Sequence, residues 1–254
     1  MIITLFSNTS WSLLNFRKDF IKELIKQKYK VVIISNKDQA SKELIKMGCT
    51  FKEINFDTLS KNPFKEISCL LKLFILILNS KSDIFVNFTI KPCIYFGLIN
   101  LLFNIKSISM LDGLGRSFVK QNFFSKIMIN LLKISQIKTT KIILVNKDDI
   151  DFFKKNKIIS NLKKIVLLRA PGLEVKDFKF KKRIINKNKK LVFSFISRVI
   201  EEKGIIYFLK SAEIIKKKYQ ADFFVMGKIE KENIQNMIIK FRKKKIIKYY
   251  KNKN

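Results

Sequence analysis

Leu191-Val192-Phe193-Ser194-Phe195-Ile196 runs directly into Ser197-Arg198-Val199-Ile200-Glu201-Glu202-Lys203-Gly204, and Ile205 to Tyr219 then carries apolar residues at helical spacing. The first six residues read as a buried strand, the next eight as a short polar turn, and the last segment as an amphipathic helix. A strand that feeds a helix this way leaves the free N–H groups of the first helical turn, and the positive end of its dipole, at the strand's carboxyl end. Arg198 and Lys203 add two full charges there, and Gly204 opens the helix, so the turn reads as an anion site. The same eight residues also read as a basic turn in a lysine-rich chain, and the remaining sequence has to weigh one against the other.

The alternation recurs upstream. Ile2 to Phe6 is a short continuous apolar run that ends in Ser7-Asn8-Thr9-Ser10. Leu13, Phe16, Phe20 and Leu24 then fall at helical spacing, and Val31 to Ile34 supplies the next strand, completing one βαβ unit. Further helices are expected at Lys42 to Met47, Pro63 to Asn79, Pro92 to Phe103 and Ser125 to Ser135, with one more begun by Lys147-Asp148-Asp149. Strands are expected at Phe51 to Ile54, Asp83 to Val86, Ser107 to Leu111, Ile142 to Val145 and Ile165 to Leu168. Pro92 suits a first helical position because its absent N–H is not needed there. Such alternation predicts an α/β fold with a parallel sheet, in which ligands sit beyond the carboxyl ends of the strands.

After Leu168 comes Arg169-Ala170-Pro171-Gly172, then a charge-rich stretch, Lys176 to Lys190, with almost no apolar periodicity. A second alternation follows: strand Leu191 to Ile196, helix Gly204 to Tyr219, strand Asp222 to Met226, helix Glu230 to Lys243 and a last strand at Ile246 to Tyr250. The expected organisation is a first domain over 1–172, a linker over 173–190 and a second, partial domain over 191–254.

Composition narrows the function classes. A chain of 254 residues with 47% hydrophobic residues can bury a sizeable core. The formal charge of +33 points to phosphate-rich partners or an anionic membrane surface. Only six of the 53 basic residues are arginine (Arg17, Arg116, Arg169, Arg183, Arg198 and Arg242), and no local patch interleaves them with aromatics, so no nucleic-acid partner is expected. The absence of histidine removes the usual general base and the commonest metal ligand. Cys49, Cys69 and Cys93 stand alone in apolar contexts and read as reduced core residues of a cytosolic protein. Met1-Ile-Ile-Thr-Leu-Phe lacks signal-peptide features, and the longest apolar runs fall short of the roughly 20 residues that span a bilayer. The expected location is therefore cytoplasmic, peripheral at the inner face of the cell membrane.

The Arg198-x-x-x-x-Lys203-Gly204 turn resembles the donor-phosphate loop of glycosyltransferase family 4, the retaining GT-B sugar transferases. Other stretches resemble the same family in colinear order, in particular its subgroup for O-antigen, capsule and lipid-linked oligosaccharides. Ser7-Asn8-Thr9-Ser10-Trp11 with Asn15-Phe16-Arg17 looks like the first, acceptor-facing loop, although the glycines common there are absent. Asn8, Thr9 and Ser10 equally suit a helix N-cap. Asn87-Phe88-Thr89-Ile90-Lys91-Pro92 is similar to a Thr-x-Lys-Pro turn, and Asp112-Gly113-Leu114-Gly115 to a Thr-Gly-Leu-Gly loop in which Asp112 replaces the Thr. Ala170 to Val175 looks like the turn before the interdomain linker. Gly227 matches the glycine that ends the next strand, beside the nucleotide.

The resemblance implies a GT-B-like fold with two Rossmann-like domains and transfer of a sugar from a UDP- or GDP-linked donor to a lipid-linked or polysaccharide acceptor. In it Arg198 and Lys203 neutralise the departing diphosphate, with Gly204 and Gly227 on the donor side. Asn8, Trp11, Arg17, Thr89, Lys91, Asp112, Gly113 and Gly115 lie on the acceptor side. It implies no metal and no cofactor. The family's second domain continues through a base-binding loop and a Glu-x7-Glu segment that this sequence does not show. A truncated or split coding sequence is therefore expected, with a non-catalytic fragment or a subunit completed by a separately encoded half as the alternative to a transferase. A Rossmann-type oxidoreductase is disfavoured because no strand is followed by G-x-G-x-x-G.

Overall fold

Two compact units make up the computed structural model, Met1–Lys179 and Phe180–Asn254. The structure describes all residues except 57–61, 115–117, 119–122, 170–171, 173–174, 181, 183–189 and 252–254. In the first unit the chain runs β1 (Ile2–Thr9), α1 (Ser10–Lys26), β2 (Lys30–Asn36), α2 (Gln39–Lys46), β3 (Thr50–Glu53) and α3 (Pro63–Leu78). It continues as β4 (Ile84–Phe88), α4 (Ile90–Phe103), β5 (Lys106–Leu111), α5 (Phe123–Ser135), β6 (Lys141–Leu144), α6 (Lys147–Lys155) and β7 (Ile165–Leu167). The seven strands are parallel and ordered β3-β2-β1-β4-β5-β6-β7.

Local chemistry starts and stops these elements. The Thr9 hydroxyl accepts from Ser12 N at 3.2 Å and caps α1, and Asp38 and Asn146 cap α2 and α6 in the same way. Asp148 and Asp149 in the first turn of α6, with Lys154 and Lys155 in its last, complement its dipole. Because β1, β2 and β4 are covered on both faces, their apolar residues run nearly continuously, whereas β5 alternates the buried Ser107 and Ser109 with Ile108 and Met110. One face packs Leu5, Ile33, Val86 and Met110 against Leu13, Ile21 and Leu24 of α1 and Leu44 of α2. The other packs Phe6, Phe85, Leu111 and Leu144 against Leu73 of α3, Phe96 of α4, Leu132 of α5 and Phe153 of α6. Phe85 and Phe96 stack with centroids 4.4 Å apart. Burial pushes the thiol of Cys93 up to about 12 and those of Cys49 and Cys69 up to about 11.

Most boundaries differ from the sequence reading by a few residues, and three of these differences bear on the site. β1 continues past Phe6 to Thr9, because its register with β2 shifts between Phe6 and Thr9 and brings Thr9 opposite Asn36. β4 reaches Phe88, so Asn87 lies within the sheet between Phe6 and Ser109. α4 begins at Ile90, two residues before Pro92. Proline is harmless there because the first-turn N–H groups have no partner within the helix.

The second unit contains β8 (Leu191–Ile196), a 3-10 turn (Glu201–Lys203), α7 (Ile205–Lys218), β9 (Ala221–Met226), α8 (Glu232–Lys243) and β10 (Lys248–Tyr250). Its three strands are parallel in the order β10-β9-β8. Val199, Ile205, Leu209, Phe223, Val225, Ile234 and Ile238 form its core. β8, which the sequence reads as a buried strand, is an edge strand here, with Leu191, Val192 and Ile196 exposed. An apolar run reports what a strand is made to be covered by, and β8 has one neighbour among the described residues.

Candidate functional site

Strand order reverses in the first unit between β1 and β4, and in an open parallel sheet that reversal opens a crevice beyond the carboxyl ends. At those ends stand Ser7–Trp11, where β1 passes directly into α1, Thr89–Lys91, where β4 passes into α4, and Asp112–Leu114 after β5. Arg17 ties two of them together. Its Nη2 donates to both carboxylate oxygens of Asp112, at 2.9 and 2.8 Å, and its Nη1 donates to the Phe16 carbonyl at 3.1 Å. Its guanidinium carbon lies 5.2 Å from the centre of the Phe88 ring. Arg17 is only 7% exposed while the Asp112 side chain is 39% exposed, so the pair presents a carboxylate outward on a buried cation.

Around this pair several buried polar atoms have no hydrogen-bond partner among the described residues: Asn8 Oδ1, Arg17 Nε, both side-chain polar atoms of Asn87, and Thr89 Oγ1. Buried polar groups are ordinarily satisfied, so a group of orphans at adjacent strand ends is a place where water or a polar ligand can complete the bonding. Thr89 has φ 69° and ψ 166°, a left-handed conformation that strains a β-branched residue. Strain of this kind costs about 1–3 kcal/mol and gathers at binding sites. Its N–H donates to the Met110 carbonyl at 3.0 Å, which fixes the turn against β5.

Lys91 is held differently. Its ammonium pairs with Glu66 of α3 at 2.8 Å and lies 5.2 Å from the Phe56 ring centre and 5.7 Å from that of Tyr95. It lines a cleft of about 790 Å³ with Lys37, Lys65, Lys72, Asn36 and Glu53. Trp11 is exposed, packs edge-on to Phe16 with centroids 5.5 Å apart, and has its backbone N–H on Asp38 at 3.0 Å. Gly113 has φ +113° and open space where a Cβ would sit, so backbone conformation is what selects glycine there. Gly115 lies outside the described residues, as do Ala170, Pro171, Leu173 and Glu174 of the pre-linker turn.

Among the acceptor-side residues the structure thus brings Arg17 directly onto Asp112. It sets Asn8 and Thr89 at the ends of adjacent strands, and gives Lys91 and Trp11 other partners. Sequence reading placed Asn87 in the turn after the strand and assigned it no site role, because the strand was expected to stop at Val86. It also passed over Glu66 and the lysines of the cleft, because single charges on a helix or turn carry no signal in a lysine-rich chain.

In the second unit the turn after β8 is clamped against the turn after β9. Val199 N donates to the Lys228 carbonyl at 2.8 Å, and a Cβ on Gly227, whose φ is +146°, would lie 1.8 Å from the Ser197 carbonyl oxygen. The Tyr249 hydroxyl, its pKa raised by burial, donates to the Gly227 carbonyl at 2.9 Å. Arg198 is exposed and pairs with Glu230 at 3.3 Å, an ion pair of little net strength in water. Gly204 sits in the left-handed region with φ 83° and caps α7 with no side-chain hydrogen bond, so backbone N–H groups at the start of α7 have no side-chain acceptor on the cap. Lys203 precedes it in the 3-10 turn. Arg198, Lys203, Gly204 and Gly227 therefore all belong to the two clamped turns.

Comparison with known proteins follows the same outline. Residues 3–146 match the family described as glycosyl transferase 4-like. A curated relative, the N,N'-diacetylbacillosaminyl-diphospho-undecaprenol alpha-1,3-N-acetylgalactosaminyltransferase of Campylobacter jejuni, is 26% identical over 243 residues, covering 89% of this chain and 63% of the relative. The chain thus spans less than two thirds of that relative's length. Among solved structures, HepE of Anabaena in complex with UDP and glucose superposes with a TM-score of 0.68 at 10% identity, covering 98% of this chain and 68% of HepE. The lipopolysaccharide outer core galactosyltransferase WaaB in its apo form gives a TM-score of 0.61 at 11% identity, covering 100% of this chain and 69% of WaaB. At those identities the likeness is one of fold, the α/β fold of GT-B glycosyltransferases. With the family match extending over more than half of its residues, the chain belongs to the glycosyl transferase 4-like family.

Proposed function

We propose that the protein is a glycosyltransferase, or the larger part of one, that moves a sugar from a nucleotide-diphospho-sugar to a lipid-linked or polysaccharide acceptor in cell-surface glycan synthesis. The observation that carries this reading is the clamped pair of turns in the second unit, where Arg198 and Lys203 flank the N-terminus of α7. Departure of a nucleoside diphosphate leaves negative charge on its terminal phosphate. Two cations and a helix dipole fixed in place stabilise that charge without a metal ion. Arg198 exchanges Glu230 for the diphosphate, Lys203 adds a second positive charge, and the backbone at Gly204 and Gly227 allows close approach. Attack from the face of the leaving group, with its phosphate assisting, retains configuration.

On the acceptor side, the Asp112 carboxylate held by Arg17 accepts a hydrogen bond from an acceptor hydroxyl. Asn8, Thr89 and the backbone at Gly113 satisfy neighbouring polar groups, Lys91 and its cleft take up phosphate charge, and Trp11 offers an apolar face. The Campylobacter relative's name describes a diphospho-undecaprenol acceptor, which fits a peripheral protein at the inner membrane face; no helix among the described residues is long and apolar enough to cross a membrane.

Titration with UDP and GDP tests the donor site. Arg198→Ala and Lys203→Ala are each expected to lose a charge-assisted hydrogen bond of roughly 1.5–3 kcal/mol, a weakening of about 10- to 100-fold. Unchanged affinity in both variants overturns the assignment.

A second reading, in which a separately encoded segment completes the second unit, is favoured by the exposed apolar residues of β8. Such an edge is a template for a further parallel strand. In that reading this chain alone transfers little sugar, and activity appears when a chain carrying the additional strands is supplied. Val192→Lys with Ile196→Lys should block that recovery. Full transfer by the chain alone removes the second reading.

A further inference from the structure

The outward face of α3 breaks the rule that a surface helix is polar where it meets water. Cys69, Leu73 and Ile77 point into the core, yet Phe64, Ile67, Leu71, Ile75 and Leu78 lie on the solvent side, Phe64 81% exposed and the others between 54% and 60%. Their spacing of three and four residues places them in one stripe along the helix. Lys65 and Lys72 are exposed beside the stripe, and the helix's one acidic residue, Glu66, is engaged with Lys91. The patch has a neighbour at the end of α4, where Phe103 packs on Phe74 of α3 with ring centres 5.4 Å apart and the adjoining Leu102 is 74% exposed. An apolar stripe of this length, unmixed with acids, has a function other than solubility.

We propose that α3 lies in the plane of an anionic phospholipid bilayer, its stripe sunk into the acyl boundary and Lys65 and Lys72 at headgroup level. Sixteen residues span about 24 Å as a helix, too short for a transmembrane path and suited to an interfacial one. Charge selects lipid over a protein partner: a chain of formal charge +33 is drawn to anionic headgroups, and that field is strongest against a continuous anionic surface. The inference deepens the acceptor reading and rests on it. Phe64, Lys65, Ser68 and Lys72 belong both to α3 and to the lining of the cleft that holds Lys91. Seating α3 on the membrane therefore opens that cleft at the depth where the diphosphate of a lipid-linked acceptor resides, and the lipid chain never has to leave the bilayer.

The test is sedimentation of the full chain with vesicles of phosphatidylcholine alone and of phosphatidylcholine with phosphatidylglycerol. Strong binding is expected only to the anionic vesicles. The double variant Leu71→Gln with Ile75→Gln leaves the charge unaltered and touches only exposed side chains, so its thermal unfolding should match wild type. Its binding should fall about a hundredfold, each apolar side chain withdrawn from the bilayer being worth about a factor of ten. Lys65→Gln with Lys72→Gln should remove much of the preference for phosphatidylglycerol. In Leu71→Trp, brominated lipid should quench fluorescence well beyond the quenching seen with wild type, whose single tryptophan is Trp11.

Vesicle binding untouched by the Leu71 and Ile75 substitutions overturns the proposal. So does an absence of vesicle binding with self-association that the same variant abolishes, which assigns the stripe to a second copy. Nucleotide titration reads the donor site separately, so a failure here is distinguishable from a failure of the transferase reading.

Discussion

Gly97→Ala is expected to lower the melting temperature of the first unit by about 2–8 °C, although alanine is the better helix former by about 1 kcal/mol. Gly97 lies in the middle of α4, and a Cβ there would stand 2.1 Å from the Ser135 carbonyl oxygen and 2.8 Å from the Ser135 carbonyl carbon at the end of α5. The obstacle is backbone, so no rotamer change relieves it. α5 has to retreat, loosening Leu132 and the buried Ser135–Gln136 corner, where the Ser135 hydroxyl donates to Leu132 O at 2.8 Å and accepts from Gln136 Nε2 at 2.9 Å. Overpacking of this kind costs about 1–3 kcal/mol, and more when backbone must move, which outweighs the propensity gain. Thermal unfolding followed by circular dichroism decides it: a melting temperature equal to or above wild type would show that the two helices separate freely.

Gly227→Ala should have the larger consequence for function. Two penalties add, with no compensating gain: the new Cβ meets the Ser197 carbonyl oxygen at 1.8 Å, and the φ of +146° is one that side chains other than glycine rarely adopt. The second unit is small, Phe180–Asn254, so each kcal/mol removes about 4–8 °C of its melting temperature. The turn that carries Arg198 and Lys203 begins at Ser197, so forcing Ser197 away from Gly227 displaces both cations together. Nucleoside diphosphate affinity should accordingly fall further than in either Arg198→Ala or Lys203→Ala. A glycine-to-alanine variant that binds UDP or GDP as wild type does would show that the two turns are not mechanically coupled.

The two glycines differ in how they could be found. Gly227 follows Phe223-Phe224-Val225-Met226 and reads as the end of a strand, so its place was legible, although a turn glycine reads the same way. Gly97 stands in an apolar helix with nothing around it to show that Ser135, 38 positions on, touches its backbone. Arg17 and Asp112 teach the same lesson. Each lies in a recognisable turn, but their contact spans 95 positions and exists because β1 and β5 both flank β4.

Strand and helix alternation, caps such as Thr9, Asp38 and Asn146, and the strand-to-helix turn at Ser197–Gly204 are local properties. Backbone sterics, side-chain hydrogen bonds within a few residues and the period of apolar positions determine them, so the α/β class and the order of elements followed from the sequence alone. The tertiary structure decided whatever depends on which strand lies beside which. It engaged Arg17 with Asp112, placed Asn87 within the sheet, paired Lys91 with Glu66, left β8 at an edge and turned the Phe64–Leu78 stripe of α3 outward. A continuous apolar run reads the same whether a neighbour, a bilayer or water covers it; the covering is a property of the packed chain, because burial is settled by surfaces that meet across long sequence separations.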